Sequence, residues 1–166
     1  MRLDEISKVK GDGTYIGVRL DKKSLDNIEK FIKDNGIKNA TPRDDIHITL
    51  VYSRKIVPNA KKLCNKHINN EKVTPTGKFE CWGEDKNSLV MTLTSEYLQK
   101  RFKFFENKGA IFDFDSYSPH ITFTYEAQST DEDVIKNLIW DGGDLFLLKE
   151  YHEDLDLDWN DNDKDD

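Results

Sequence analysis

Two short stretches of this chain set side by side the residue types that phosphate chemistry uses. DIHITLVYS (45–53) and SPHITFTYE (118–126) each carry an imidazole, a Thr hydroxyl two residues later and a Tyr five residues after the His. The pattern H-I-T-(L/F)-(V/T)-Y therefore occurs twice, with the two His 73 positions apart. Imidazole has an ordinary pKa of about 6.5, so near neutrality one His can accept a proton while another donates one. Cleaving a phosphodiester calls for both acts at once, a base for the attacking hydroxyl and an acid for the departing oxygen. Thr hydroxyls can donate to the non-bridging oxygens on which charge concentrates in the transition state.

Both stretches read as strands. Side chains alternate across a strand, so His47 and Thr49 share one face while Ile46, Ile48 and Leu50 share the other. His120 and Thr122 repeat this opposite Ile121 and Phe123, with Pro119 suited to a strand start. Tyr52 and Tyr125, five residues beyond each His, fall on the apolar side of regular strands and are expected to belong to the scaffold. One such HxT alone is merely the polar face of a sheet. Its recurrence points to two half-sites of a single centre. No carboxylate cluster adjoins either His, so neither metal nor cofactor is expected. Which His is base and which is acid stays open.

The elements that must carry these residues are legible in outline. Residues 14–20 read as a strand, and 24–36 as a helix with Ser24 a cap candidate, apolar Leu25, Ile28, Phe31 and Ile32, and Gly36 at its stop. Residues 46–53 form the first HIT strand, 59–70 a short polar helix, and 78–82 with 88–95 a hairpin. A helix over 95–109, a strand over 110–114, the second HIT strand over 120–125, a helix over 130–140 capped by Thr130 and a closing strand from Gly143 to Tyr151 complete the reading. Each half ends its core on a HIT strand, and no solenoid period appears. The expected class is α+β, mostly antiparallel, with helices on the outer faces.

The chain has 166 residues, 36% of them apolar and 34% charged, with a mean hydropathy of −0.76. Nine Phe, six Tyr and three Trp supply bulky core material, enough for one domain with a real core. The net charge of −7 is unevenly placed: residues 150–166 hold nine acids against Lys164, which leaves residues 1–149 at about +1. An acidic pI near 5.2 is therefore no argument against a phosphate-bearing substrate. Residues 1–150 are expected to form the domain and 151–166 an acidic tail. Cys64 and Cys81 form no CxxC and no framework, as in a reducing cytosol. The start has no apolar leader and no run nears 18 apolar residues, so neither secretion nor a membrane span is expected.

Two HxT motifs in a duplicated α+β chain of this size resemble the 2H phosphoesterases. That resemblance implies a bilobal fold with the motifs facing each other across a central cleft, and action on 2′,3′-cyclic phosphates, 2′–5′ linkages or related nucleotide esters. It lands on His47, Thr49, His120 and Thr122. TYIGVRLD, DIHITLVYSRK, SPHITFTYE and a Trp in the acidic segment look closest to the phage anti-CBASS phosphodiesterases, which destroy cyclic di- and trinucleotide immune messengers. By that likeness Tyr15, Trp82 and Trp159 would grip nucleobases, Glu153 would contact a base edge, and the tail would act as a lid. Cyclic di- and trinucleotides are then the expected partners, with no membrane and no stable nucleic-acid partner, in the host cytoplasm if phage-encoded. Two other readings stand beside it: an RNA-processing 2H enzyme for 2′,3′-cyclic phosphate or 2′–5′ ends, and a non-catalytic protein that sequesters a nucleotide.

Other signals are weaker. His67 and His152 read as surface residues. Asp154, Asp156 and Asp158 start like a calcium loop, but Trp159 stands where that loop needs Gly. Lys10, Arg19, Arg43, Arg54 and Lys55 are candidates to hold phosphate, and nothing in the sequence chooses among them.

Overall fold

The run GTYIGVRL (β1, Gly13–Leu20) alternates core residues Ile16, Val18 and Leu20 with Tyr15, Gly17 and Arg19 on its other face. It enters the computed structural model of the protein, which describes residues 13–113 and 116–155. Lys10, Trp159 and the acidic run from Asp156 onward lie outside the described residues.

After β1 comes helix α1 (Lys22–Asp34), whose cap is Asp21, its carboxylate accepting from the Ser24 amide at 2.9 Å. Ser24, expected as the cap, instead uses its Oγ to accept from the Phe146 amide, tying the helix to the last strand. The first HIT strand is β2 (Ile48–Ser53), with His47 one residue before it. Residues 59–70 yield only one turn, α2 (Ala60–Leu63), because this polar stretch has little apolar face to bury. Then follow β3 (Lys72–Trp82), β4 (Ser88–Thr94), α3 (Glu96–Asn107) capped by Ser95, and β5 (His120–Thr124). The strand expected over 110–114 does not form in residues 110–113. The helix expected over 130–140 shrinks to α4 (Glu132–Lys136), capped by Asp131, while Thr130 Oγ1 accepts from the Lys38 amide. Strand β6 (Leu145–Leu155) runs on past Tyr151, so residues 151–155, first assigned to the acidic tail, belong to the sheet.

The six strands form one antiparallel sheet in the order β2-β1-β6-β3-β4-β5. Its middle is narrow: β3 and β6 join through only Lys72–Phe146 and Val73–Leu145. The sheet is thus two three-stranded lobes, β6-β1-β2 and β3-β4-β5. Chain order shows the duplication, since β1-α1-β2 and β4-α3-β5 are both strand, helix, HIT strand. Each HIT strand is the edge of its lobe. One core lies behind both lobes, with Ile28 and Phe31 of α1 and Leu98, Phe102 and Phe105 of α3 in the same cluster as Ile48, Leu50, Ile121 and Phe123.

The two HIT edges are brought together by reciprocal coverings. The segment before the first His runs along β5: the Thr41 amide donates to Phe123 O at 2.8 Å, and Thr41 Oγ1 donates to Thr122 O at 2.9 Å. The segment before the second His runs along β2: the Ile111 amide donates to Ser53 Oγ at 3.0 Å, and Tyr117 Oη donates to Thr49 O at 2.7 Å. Edge groups that would otherwise be exposed are satisfied by the other lobe.

Candidate active site

Each catalytic candidate His is oriented in the same way. His47 Nδ1 sits 2.7 Å from Asp45 O, and His120 Nδ1 sits 3.0 Å from Ser118 O. A carbonyl only accepts, so Nδ1 carries the proton and Nε2 keeps its lone pair in the neutral ring. The main chain two residues back thus fixes the tautomer twice over. His47 is 8% exposed, and burial pushes its pKa down to about 4, with the Arg19 and His120 charges adding to the effect. His120 is half-buried, and burial lowers its pKa too. The two imidazoles are close enough that charge on His120 opposes charge on His47.

The Thr of each motif shares the cleft face with its His. Thr49 Oγ1 lies 3.0 Å from Tyr15 Oη, so a proton from Tyr15 leaves the Thr49 hydroxyl free to donate outward. Thr122 is 8% exposed and pairs with Val90 across β4, while His120 pairs with Thr92.

An aromatic ring adjoins each imidazole. Tyr15 meets His47 edge-on at 6.2 Å, and Trp82 meets His120 at 4.5 Å and 61°. Tyr15 has no exposed surface. Its place is under the site, holding Thr49, and it offers no open face for a nucleobase. Trp82 is half-buried at the end of β3 and on the cleft face, opposite Ser88. Glu153 pairs with Tyr15 across β6, half-buried; burial raises its pKa while Arg19 and His152 pull it back. His47, Thr49, Tyr15 and Glu153 thus belong to one lobe's cleft face, and His120, Thr122 and Trp82 to the other's. Trp159 lies outside the described residues.

Among the described residues, Arg19 is the basic candidate that approaches His47. Its Nη1 donates to the carbonyls of Asp44 and, at 3.2 Å, Ile46, on the approach to His47. Arg43 is held by Asp26 and Glu29, and Arg54 by Asp113 at 2.8 Å. Alternation could have singled out Arg19, since it shares the face of Tyr15 and Gly17 on β1.

The Tyr residues of the repeat are not on the scaffold side. The β1–β2 register passes from Ile16–Val51 to Gly17–Thr49, leaving Leu50 without a partner on β1. The β4–β5 register passes from Leu89–Thr124 to Val90–Thr122, leaving Phe123 without a partner on β4. Both are β-bulges at the residue after HxT, and one extra residue reverses the alternation. Tyr52 therefore packs with Tyr15, Tyr151 and Leu155 on the cleft face. Tyr125 lies close enough to Tyr15 and Tyr151 to influence the ionisation of both. Tyr151, expected only as the last residue of the closing strand, occupies the same floor; its two-residue spacing from Glu153 was the available signal.

Among the described residues no helix is long and apolar enough to cross a membrane, and no cluster of three or more metal-ligating side chains occurs. The family model for anti-CBASS protein Acb1 matches residues 12–162. The anti-CBASS protein Acb1 of Enterobacteria phage T4 is 34% identical over 152 residues, covering 90% of this chain and 92% of that one. Its counterpart from Acinetobacter phage Ac42 is 32% identical over 160 residues, 96% of this chain and 99% of that one. Among solved structures, Escherichia coli LigT complexed with NADP+ is similar at a TM-score of 0.49 and 13% identity, over 86% of this chain and 98% of that one, too distant to bear on the site. With the match extending over nearly the whole described fold and both HxT strands, this chain belongs to the Acb1 family of anti-CBASS proteins.

Proposed function

We propose that this protein is a phosphodiesterase that opens the 3′–5′ bonds of cyclic di- and trinucleotides, with His47, Thr49, His120 and Thr122 as its catalytic residues. The observation that carries the reading is the pair of imidazoles, each with Nδ1 fixed on a backbone carbonyl and Nε2 free, on the two HIT edges that the reciprocal coverings hold together. Membership of an anti-CBASS family supports the substrate class.

His47, the more deeply buried and the harder to protonate, acts as base; the more exposed His120 acts as acid. His47 Nε2 takes the proton of a ribose 2′-OH, and the 2′-oxygen forms a bond to the adjacent phosphorus. The bond from phosphorus to the 5′-oxygen breaks, and that oxygen receives the proton of His120. A 2′,3′-cyclic phosphate end results. Thr49 and Thr122 donate to the non-bridging oxygens as charge builds there. An anionic phosphate beside His120 favours its charged form, which offsets the effect of burial at the moment the acid is needed. Tyr15 serves by holding Thr49, Trp82 by bracing His120 and lining the cleft, Glu153 by meeting a base edge, and Trp159 by stacking on a base, for which about 1–3 kcal/mol per base is usual. Both proton transfers are supplied by side chains, so no metal is required.

Incubation of a panel of cyclic di- and trinucleotides with EDTA, followed by chromatography, tests this. Linear products ending in a 2′,3′-cyclic phosphate are expected. A substrate with hydrogen in place of its 2′-OH groups should bind and stay closed. Loss of turnover on chelation, or efficient opening of the 2′-deoxy ring, would overturn the mechanism.

A further inference from the structure

Tyr151 lies across the cleft floor in a way that the first strand is built to permit. Gly17 of β1 is the cross-strand partner of Tyr151 on one side and of Thr49 on the other. A Cβ added at Gly17 would meet Tyr151 Oη at 2.3 Å and Cζ at 2.4 Å, so only glycine leaves room for the ring. The phenol end therefore rests directly over residue 17, beside the Thr49 position. The Arg19 guanidinium stands 5.0 Å from the centre of the same ring.

The hydroxyl at the end of this ring is buried and makes no hydrogen bond of ordinary geometry among the described residues, although the Tyr15 hydroxyl is near enough to affect its ionisation. Tyr15, whose ring centre lies 6.2 Å away, directs its hydroxyl to Thr49 Oγ1 at 3.0 Å, which leaves Tyr151 Oη at best a long, poorly aligned contact with it. Buried hydroxyls are ordinarily satisfied, and an orphan destabilises the free protein. A Phe at this position would fill the same space without that penalty. Burial also pushes the Tyr151 pKa up to about 12, so the group stays a donor at neutral pH.

Building on the phosphodiesterase reading above, we propose that Tyr151 Oη is a substrate contact, donating a hydrogen bond to a non-bridging oxygen of the phosphodiester held at Thr49. The donor that makes no hydrogen bond of ordinary geometry in the free protein gains a full partner on binding. Thr49, Tyr151 and Arg19 then form one phosphate cradle, two hydroxyl donors with a guanidinium behind them. The contact reads the backbone of the ligand, so it is blind to the identity of the base.

Tyr151→Phe removes the hydroxyl and keeps the ring over Gly17. Two quantities are measured: the melting temperature of the free protein, and the Kd for two cyclic dinucleotides of different base, the latter by calorimetry in a His120→Ala background that prevents turnover. The melting temperature should stay level or rise, while both Kd values weaken by about 10-fold or more, the loss expected for one hydrogen bond to a charged group. A lower melting temperature with unchanged Kd would make the hydroxyl structural and overturn the proposal. Weakening for one base alone would overturn the phosphate assignment. If cyclic dinucleotides bind and are opened normally by Tyr151→Phe, this inference alone falls. If the unaltered protein binds none of them, the phosphodiesterase reading falls with it.

Discussion

Burial keeps both imidazoles neutral in the free protein near pH 7, and this has two measurable consequences. An unfolded His binds its proton at about pH 6.5, whereas folded His47 resists it down to about 4. The unfolded state binds more protons in that window, so stability is full above pH 6.5 and drains away as the pH falls towards 4. The melting temperature should therefore drop between pH 7 and 5, and the drop should be shallower in His47→Gln; an equal slope in both proteins would contradict the burial argument. For catalysis, one His must be neutral and the other charged. With both pKa values below 6.5, kcat/KM should rise as the pH is lowered from 8 to 6, before the base limb cuts it near 4. A profile that climbs steadily from pH 6 to 8 would exclude His120 as acid. At this scale the HxT pairs were legible because residue type and spacing alone define them. Tyr52 and Tyr125 were misplaced because a bulge is a property of two paired strands, and one strand's sequence does not show it. Tyr151 was missed because its position depends on the space at Gly17, 134 residues away in the chain.

Strand β6 is the element on which the first lobe's cleft face depends, since it presents Tyr151 and Glu153 there and Glu150 on the opposite face. Glu150 is 1% exposed and takes bonds from Arg101 Nε at 2.7 Å, Arg101 Nη2 at 2.6 Å, Tyr97 Oη at 2.8 Å and the Asn65 amide at 2.9 Å. Arg101 and Tyr97 belong to α3, so the helix of one lobe fixes the register of a strand in the other. Removing one partner of a buried pair leaves an unpaired charge at a cost of about 3–5 kcal/mol. Arg101→Ala should thus lower the melting temperature by roughly 10 °C, read by calorimetry; a change within a degree or two would show that the pair is not holding the lobes. The two long helices were legible from apolar spacing, although the cap of the first is Asp21 and not Ser24. The short elements were not, because α2 and α4 are single turns set by what surrounds them, and Ala110 and Ile111 give their amides to Phe105 O and Ser53 Oγ in place of a ladder.

As a whole the molecule is a near-twofold object whose second lobe is continuous, β3-β4-α3-β5, and whose first is closed from the far end of the chain by β6. The α+β class and the doubling were visible in the order of elements. The pairing of β6 with β1 was not, since nothing local in either strand names a partner at the other end of the chain. Nor was the crossing of the two lead-in segments, which makes the edges of two lobes into the walls of one cleft. On the proposed mechanism neither lobe is competent alone. That mechanism has His47 and His120 act as a unit, and residues that act as a unit lose their effects together. Turnover of a cyclic dinucleotide by His47→Ala, His120→Ala and the double variant measures this directly. Each single change should reduce kcat by at least about 10²-fold, and the double variant should be scarcely slower than the worse single one. Near-normal turnover in either single variant, or losses that multiply in the double, would contradict a single site built from both HIT strands.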